Sequence, residues 1–203
     1  MSMNPYLLPV LVGCLYILVF GGLSLARREG LSAQFALESV AFTALLTGIS
    51  WLARVPLNPA IFLLLLYLIT MRSRWLVDIA NYFAGRGKYA TAFRLYRLAL
   101  AWRPDTSSRL IVLTNRGIAE LRDGQLAAAI RTLSSVLQSD KQARLGPKYE
   151  AACHYTLGLA YEREGNKADA LLHWNQAIDI LPGSLYARAA QAALDRRKTS
   201  AEG

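Results

Sequence analysis

The sequence has few of the residues that metal centres, disulfides and covalent catalysis require. Its 203 residues include two cysteines, Cys14 and Cys153, and two histidines, His154 and His173. The cysteines lie 139 residues apart without CxxC spacing, and the two histidines, 19 residues apart, form no paired ligand motif such as HExxH. Structural zinc sites and disulfide frameworks need such clusters. The sequence therefore predicts no metal site and no disulfide.

Motifs for phosphate binding and nucleophilic catalysis are also missing. The chain contains no phosphate-binding glycine loop, no GxSxG nucleophile elbow and no HExxH sequence. The paired glycines Gly21 and Gly22 lie within an apolar stretch, where close helix packing explains them. We therefore predict a protein that is not an enzyme, with no catalytic residues, no cofactor and no evident small-molecule substrate.

Apolar residues, in contrast, make up 54% of the chain and are concentrated in residues 1–71. Three apolar stretches occur there, at about 6–26, 33–53 and 55–71. The first two are long enough to cross a hydrocarbon layer of about 30 Å, and the third is at the short end of that range. We predict three transmembrane helices, with a re-entrant hairpin as the alternative for the third stretch.

The placement of arginine predicts an orientation for these helices. No lysine or arginine precedes the first stretch, and those that follow the stretches are Arg27, Arg28, Arg54, Arg72 and Arg74. If the N-terminus is outside, four of these five arginines lie on the cytoplasmic side, as the positive-inside bias favours. The predicted location is the cytoplasmic membrane, with the rest of the chain in the cytoplasm. The alternative, a cleaved signal peptide, lacks the basic N-terminal region that such peptides need.

The second stretch carries a strip of hydroxyl residues, Ser39, Thr43 and Thr47, at helical spacing. Such residues allow close helix contact in lipid, so we predict that this is the central helix of the anchor. Glu38 lies near its cytoplasmic end, where a carboxylate can reach the headgroups. A functional role for Glu38 is the alternative, because intramembrane carboxylates often mark functional sites.

Beyond Pro59 the chain has no glycine or proline until Gly85. This absence predicts that the third membrane helix continues without a break into the first helix of the cytoplasmic part. The two would form one rod of about 26 residues, near 39 Å long.

A 34-residue pattern of two antiparallel helices occupies residues 151–184. Its positions are His154, Leu157, Gly158, Tyr161, Ala170, Trp174, Ala177 and Pro182. Gly158 and Ala170 are small where the two helices cross, and Tyr161 and Trp174 fill the volume beside the crossing.

Two further copies precede it, at residues 73–106 and 110–143. The second copy is weaker, because Arg116 and Glu120 replace the leucine and tyrosine of the pattern and no proline closes it. A longer insert around residues 142–147 is predicted to extend the outer helix of this copy before Gly146 and Pro147 stop it.

This pattern resembles the tetratricopeptide repeat (TPR) over about residues 73–184. The resemblance implies a three-repeat α-solenoid. With the apolar stretches, it predicts an all-α protein in which three N-terminal transmembrane helices (residues 1–72) precede the solenoid. Such arrays need a terminal cap, so residues 185–203 are predicted to be a capping helix with a frayed tail. The combination of anchor and repeats is similar to membrane-bound TPR proteins of bacterial type that scaffold the assembly of membrane complexes.

The resemblance also implies that the inner helices line a groove that binds a helix or extended segment of a partner protein. Transfer of the groove positions gives Val77, Asn81, Ile111, Thr114, Asn115, Ile118, Tyr155 and Leu159. Asn81 and Asn115 match the amides of chaperone-tail TPR domains, but the cations of that clamp are missing, so we do not expect a chaperone-type clamp. The alternative is that the capping helix or the anchor covers part of the groove.

The net charge of +9 is concentrated in residues 72–116, which carry nine basic and two acidic residues. Basic side chains beside an anionic leaflet gain about 1 kcal/mol each, so we predict contact with anionic headgroups through Arg72, Arg74, Arg86 and Lys88. The chain has no basic motif studded with aromatic residues, and no nucleic-acid partner is expected.

Together these features predict a non-enzymatic scaffold or adaptor of the membrane that binds a partner protein through its groove. The alternative function is an accessory or regulatory subunit whose transmembrane helices carry a transport or intramembrane activity. Glu38 and the hydroxyl strip of the second stretch are the support for that alternative.

Overall fold

The structure is a computed structural model that describes residues 6–26, 32–143 and 145–202. All regular structure in these residues is helical, which confirms the predicted all-α class. The helices are α1 (Leu7–Ala26), α2 (Ala33–Leu52), α3 (Pro59–Thr70), α4 (Arg72–Gly85), α5 (Tyr89–Ala101), α6 (Thr106–Arg122), α7 (Leu126–Ala143), α8 (Pro147–Glu164), α9 (Lys167–Ile180) and α10 (Leu185–Glu202). They form two compact units, Met1–Trp75 and Leu76–Gly203.

The first unit, the anchor, packs α1, α2 and α3 around a buried apolar cluster of Tyr16, Phe62 and Leu66. Hydroxyl residues of α2 are buried as well, and many leucines lie on the outside. Ser39 is fully buried and Thr43 is 8% exposed, whereas Leu18 and Leu52 are 72% and 80% exposed. A Cβ on Gly13 of α1 would lie 2.6 Å from the Thr43 hydroxyl, so the hydroxyl strip of α2 contacts α1 closely. The large number of exposed leucines is unusual for a water-soluble helix bundle.

Two helices of the anchor, α1 and α2, are long and apolar enough to cross a membrane. The third predicted span is wrong as a continuous helix, because α3 has 12 residues and extends only about 18 Å. Residues 55–58 before it are not helical, and Asn58 caps α3 by accepting hydrogen bonds from the amides of Ala60 and Ile61. A third crossing would require α3 and α4 together to count as one broken span.

The predicted rod is also wrong, because the helix breaks at Met71 and α3 and α4 differ in direction by 72°. Contacts within the anchor stabilise this break. The hydroxyl of Thr70 lies 2.7 Å from that of Tyr16 in α1. Arg72 donates a hydrogen bond of 3.0 Å to the carbonyl of Ile69, which satisfies an acceptor at the end of α3.

The second unit, the repeat unit, contains the helix pairs α4–α5, α6–α7 and α8–α9, followed by α10. Each pair turns at a glycine with positive φ: Gly87 at 72°, Gly124 at 82° and Gly165 at 87°. Glycine adopts this left-handed conformation without the steric cost of a Cβ. The three turns occupy the same position in the three predicted repeats.

Small and large residues alternate in the core of this unit as the repeat pattern requires. The outer helices bury Ala92, Tyr96 and Ala99, then Ala129, Leu133 and Val136, then Ala170, Trp174 and Ala177, each at 0% exposure. On the inner helices, a Cβ added to Gly117 would lie 2.6 Å from Leu133. Inner and outer helices therefore cross at glycine in the second and third pairs.

The two residues that depart from the repeat pattern in the second copy, Arg116 and Glu120, form an ion pair. Arg116 Nε donates a hydrogen bond of 2.8 Å to Glu120 Oε1, one helical turn later. Glu120 is 2% exposed, so this pair places a buried carboxylate where the other copies have aromatic residues, Phe83 and Tyr161. The two departures from the pattern are thus coupled, because the arginine pairs with the charge that the glutamate introduces.

The ends of the repeat unit differ slightly from the predictions. Helix α7 extends to Ala143 and α8 begins at Pro147, as the insert predicted, and Arg144 between them lies outside the described residues. The capping helix α10 buries Ala187, Ala190 and Ala193, and it is helical to Glu202 where a frayed tail was predicted. Gly203 lies outside the described residues.

Candidate functional site in the groove of the repeat unit

The inner helices of the repeat unit enclose a cavity of about 490 Å³. It is lined by Asn81, Ala84, Tyr96, Asn115, Ile118, Ala119, Leu121, Arg122, Tyr155, Thr156, Leu159, Arg163 and Tyr186. These residues come from α4, α5, α6, α8 and α10, so all three helix pairs and the capping helix contribute. We call this space the groove cavity.

Five of the eight predicted groove residues line the groove cavity: Asn81, Asn115, Ile118, Tyr155 and Leu159. The other three lie in the core. Val77 and Ile111 are 3% and 4% exposed, and Thr114 is fully buried. The Thr114 hydroxyl donates to the carbonyl of Leu110 and lies 3.3 Å from the sulfur of Cys153. These three positions face neighbouring helices, because a helix on this side of a solenoid packs on both flanks.

The two amides of the cavity bond to each other. Asn81 Nδ2 donates to Asn115 Oδ1 at 3.0 Å, and Asn115 Nδ2 donates to the carbonyl of Ile111 at 2.8 Å. The hydroxyl of Tyr96 donates to Asn81 Oδ1 at 2.5 Å. This chain of hydrogen bonds connects α5, α4 and α6 and holds the side chains of Tyr96, Asn81 and Asn115 in one arrangement. Both carboxamide oxygens are therefore occupied within the protein.

The sequence reasoning missed four polar residues of the cavity: Tyr96, Arg122, Arg163 and Tyr186. Helical spacing could have found the two arginines, because Arg122 follows Ile118, and Arg163 follows Leu159, by four residues on the same helix face. The groove is consequently more polar than the predicted residue set indicated. No comparable signal identifies Tyr96 and Tyr186, which reach the cavity from an outer helix and the cap.

The capping helix forms one wall of the cavity through Tyr186. Its ring centroid lies 6.1 Å from that of Tyr155 on α8. Burial raises the pKa of Tyr186, and it raises the pKa of Tyr96 to about 12, while the positive charge of Arg122 opposes both shifts. Both phenols are therefore protonated at neutral pH. The cap narrows the groove and leaves the cavity in place.

The two histidines lie side by side away from this cavity lining. Their Nδ1 atoms are 2.9 Å apart, and the His173 ring stacks on Tyr161 with an interplanar angle of 2°. Burial and the neighbouring His173 lower the pKa of His154 to about 4, and burial lowers the pKa of His173. Within the described ranges, no group of three or more histidine, cysteine, aspartate or glutamate residues is placed to hold a metal ion.

The predicted membrane-surface residues have different surroundings. Arg72 donates hydrogen bonds of 2.5 and 2.9 Å from its two terminal nitrogens to the carboxylate of Glu38. It is thus a partner of Glu38 within the anchor, and its predicted contact with headgroups stays a prediction. Arg86 is exposed and lies 4.3 Å from the centroid of the Tyr82 ring, and Lys88 is exposed at the start of α5. Arg74 is partly buried.

Comparison with known families identifies the class of these helices. The family model described as tetratricopeptide repeat matches residues 108–182. These residues, which include the second predicted copy and all but the last two residues of the third, belong to the tetratricopeptide repeat superfamily, as the sequence pattern predicted. The first copy, residues 73–106, lies before the match and stays a prediction.

Neither the curated proteins nor the solved structures gave a match to this chain. The matched repeats support the tetratricopeptide repeat superfamily and indicate, at a general level, a scaffold for protein–protein interaction. Repeats of this kind do not identify the partner, because function resides in the side chains that a fold presents.

Proposed function

We propose that this protein is a membrane-anchored adaptor that holds a segment of a partner protein in the groove cavity. The observation that carries the proposal is the cavity itself, at about 490 Å³ and lined by all three helix pairs and the cap. Its apolar residues, among them Ile118 and Leu159, would contact the partner's apolar side chains, and the polar residues would orient the segment. A role in the assembly of a membrane complex is part of this proposal.

The anchor supports a location in the membrane. Long apolar side chains cover the outside of α1 and α2, and Ser39, Thr43 and Ser50 of α2 are buried. Exposed leucines on this scale are costly in water and favourable in lipid. We propose that α1 and α2 cross the cytoplasmic membrane and that basic residues such as Arg86 and Lys88 meet anionic headgroups.

The repeat unit is proposed to lie in the cytoplasm. With two crossings, three arginines lie on the same side as the repeat unit: Arg54, Arg72 and Arg74. With three crossings, four arginines lie on that side: Arg27, Arg28, Arg72 and Arg74. Both counts favour a cytoplasmic repeat unit. The N-terminus is outside only if there are three crossings. A cysteine introduced at residue 2, tested for labelling from outside the membrane, therefore distinguishes two crossings from three. A periplasmic reporter active after Gly203 would contradict the proposal.

The alternative function, an activity of the transmembrane helices, loses its main support. Both oxygens of Glu38 accept hydrogen bonds from Arg72, and Oε1 also accepts one of 2.9 Å from Gln34. A carboxylate held in this way has a structural explanation within the anchor. We therefore retain the adaptor as the proposed function.

Site-specific photo-crosslinking in native membranes tests the adaptor proposal. A photoreactive residue at Ile118, inside the groove cavity, is expected to give a discrete crosslinked partner. The substitution Leu159→Glu is expected to remove it. The matched control is Leu172, an exposed residue of outer helix α9 at 52% exposure, as crosslinking position and as Leu172→Glu. Equal products from positions 118 and 172, or none from 118, would overturn the proposal.

A further inference from the structure

Two arginines without an assigned role, Arg122 and Arg163, line the groove cavity. Arg122 is the last residue of α6 and Arg163 lies in the last turn of α8, and both line the cavity. They occupy the same place in their repeats, the thirteenth position from the predicted starts at residues 110 and 151. The repeat architecture therefore brings one guanidinium from each of two adjacent inner helices to one cavity.

Neither arginine has an acidic partner among the residues that the structure describes. Arg163 Nη1 donates a hydrogen bond of 3.2 Å to the carbonyl of Leu121 at the end of α6, which fixes its side chain across the gap between the helices. The cavity lining contains no aspartate or glutamate. Asp123, next to Arg122 in sequence, accepts a hydrogen bond of 2.6 Å from Gln125 instead.

Two phenol groups add neutral donors beside these charges. Tyr155 and Tyr186 line the same cavity, and within the described part of the chain neither hydroxyl has a hydrogen-bond partner. The two amide oxygens, in contrast, already accept hydrogen bonds, that of Asn81 from the Tyr96 hydroxyl and that of Asn115 from Asn81 Nδ2. The groups left for a ligand are therefore two guanidinium groups and two hydroxyl donors, which together suit an anion.

We propose that the groove cavity selects a partner segment by an aspartate or glutamate side chain that binds between Arg122 and Arg163. A guanidinium presents paired donors that match the two oxygens of a carboxylate. Apolar lining residues beside the arginines, Ile118 and Leu159, would hold apolar neighbours of the acidic residue. This inference rests on the proposed adaptor function and adds the chemistry of the partner to it.

Purified full-length protein in nanodiscs of zwitterionic phosphatidylcholine tests the inference directly. The probe is a fluorescent hexaglutamate blocked at both termini, so that only side-chain carboxylates can bind. We expect saturable binding that weakens about tenfold or more in Arg122→Gln/Arg163→Gln. Arg131→Gln is the matched control, because Arg131 is exposed on outer helix α7 and does not line the cavity. It should bind the probe as the unsubstituted protein does.

Absence of saturable binding, or equal weakening in both variants, would overturn the inference. So would loss of binding in 10 mM inorganic phosphate at constant ionic strength, or displacement by phosphatidylglycerol vesicles, since either would indicate a site for phosphate groups. Circular dichroism and thermal unfolding of each variant show whether the fold is retained. The charge-retaining variant Arg122→Lys/Arg163→Lys is expected to bind more tightly than the glutamine variant if charge is responsible.

The photo-crosslink from Ile118 separates failure of this inference from failure of the adaptor. If the crosslink survives Arg122→Gln/Arg163→Gln, the adaptor stands and the acidic-segment inference is wrong. If the crosslink is lost, the crosslinked segment should contain an aspartate or glutamate. Its replacement by the corresponding amide should then abolish the crosslink in unsubstituted protein, and a crosslink that survives this replacement would contradict the inference.

Discussion

Arg72 holds the carboxylate of Glu38 with both terminal nitrogens of its guanidinium, at 2.5 and 2.9 Å, across 34 residues of sequence. The side chains are 22% and 24% exposed, so the pair is partly shielded from solvent. The same arginine donates to the carbonyl of Ile69 at the end of α3. One side chain thus connects α2 to the break between α3 and α4.

We expect Glu38→Gln and Arg72→Gln each to destabilise the anchor by about 1–3 kcal/mol, because each leaves a partly buried charge without its partner. The double substitution should cost less than the sum of the two, since it removes both charges. Thermal unfolding of the full-length protein in detergent measures the effect, and Lys88→Gln is the control on an exposed lysine. Additive losses would refute the coupling.

The ion pair between the partly exposed Arg116 and the buried Glu120 gives a second coupling prediction. Arg116→Leu alone should destabilise the repeat unit by about 2–3 kcal/mol, because Glu120 is then left buried without a cation. The double substitution Arg116→Leu/Glu120→Tyr places at both positions the residues found in the third copy, Leu157 and Tyr161, and should recover most of the loss. Chemical denaturation measures all three proteins.

The control for this cycle is Arg94→Leu, at an exposed position of α5. It should change the free energy of unfolding by less than about 0.5 kcal/mol. If Arg116→Leu has an equally small effect, the carboxylate of Glu120 does not depend on Arg116 and the coupling is absent.

Gly158→Ala should destabilise the third helix pair. A Cβ at this position would collide with Cδ1 and Nε1 of the Trp174 indole and lie 3.0 Å from its Cε2. Because Trp174 is fully buried, its ring has no free space to move into, and we expect a loss of about 1–3 kcal/mol. Gly85→Ala is the matched control, since nothing lies within 4 Å of its Cβ position. Equal Tm values for the two variants would contradict the collision.

The histidine pair predicts a loss of stability in mild acid. The pKa of His154 is lowered from 6.5 to about 4 in the folded protein, so the unfolded chain takes up the proton first as the pH falls. Stability is therefore full above about pH 6.5 and declines towards pH 4, by about 2–3 kcal/mol for this group. The lowered pKa of His173 acts in the same direction.

Unfolding free energies measured from pH 7.5 to 4 check this prediction. His154→Gln removes the titrating group and keeps a polar side chain, so its stability should depend less steeply on pH in this window. An unchanged slope would show that other groups cause the acid sensitivity.

The sequence was sufficient for the repeats because their signal is local. Gly158 and Ala170 are small and Trp174 is large because the two helices of one pair must cross within a single 34-residue copy. All the residues that determine this crossing therefore occur in one window, and their spacing predicts it.

The end of the third apolar helix could not be predicted from local spacing. No glycine or proline marks Met71, and an apolar run with no breaker predicts a continuous helix. The contacts at the break come from Tyr16, 54 residues before Thr70, and from Glu38, 34 residues before Arg72. Such partners have no fixed spacing in sequence.

The groove cavity contains residues whose position follows from local spacing and residues that only distant contacts place there. Arg122 and Arg163 follow predicted groove residues by one helical turn, so their position was available from the sequence, whereas Tyr186 reaches the cavity only because the cap folds back on α8. The amino-acid order alone determined the helix pairs of the repeats and the apolar character of the anchor, since these depend on neighbours within a few turns. The tertiary structure alone decided which polar groups are used within the fold and which are left for a partner, because hydrogen bonds such as Asn81–Asn115 form between distant helices.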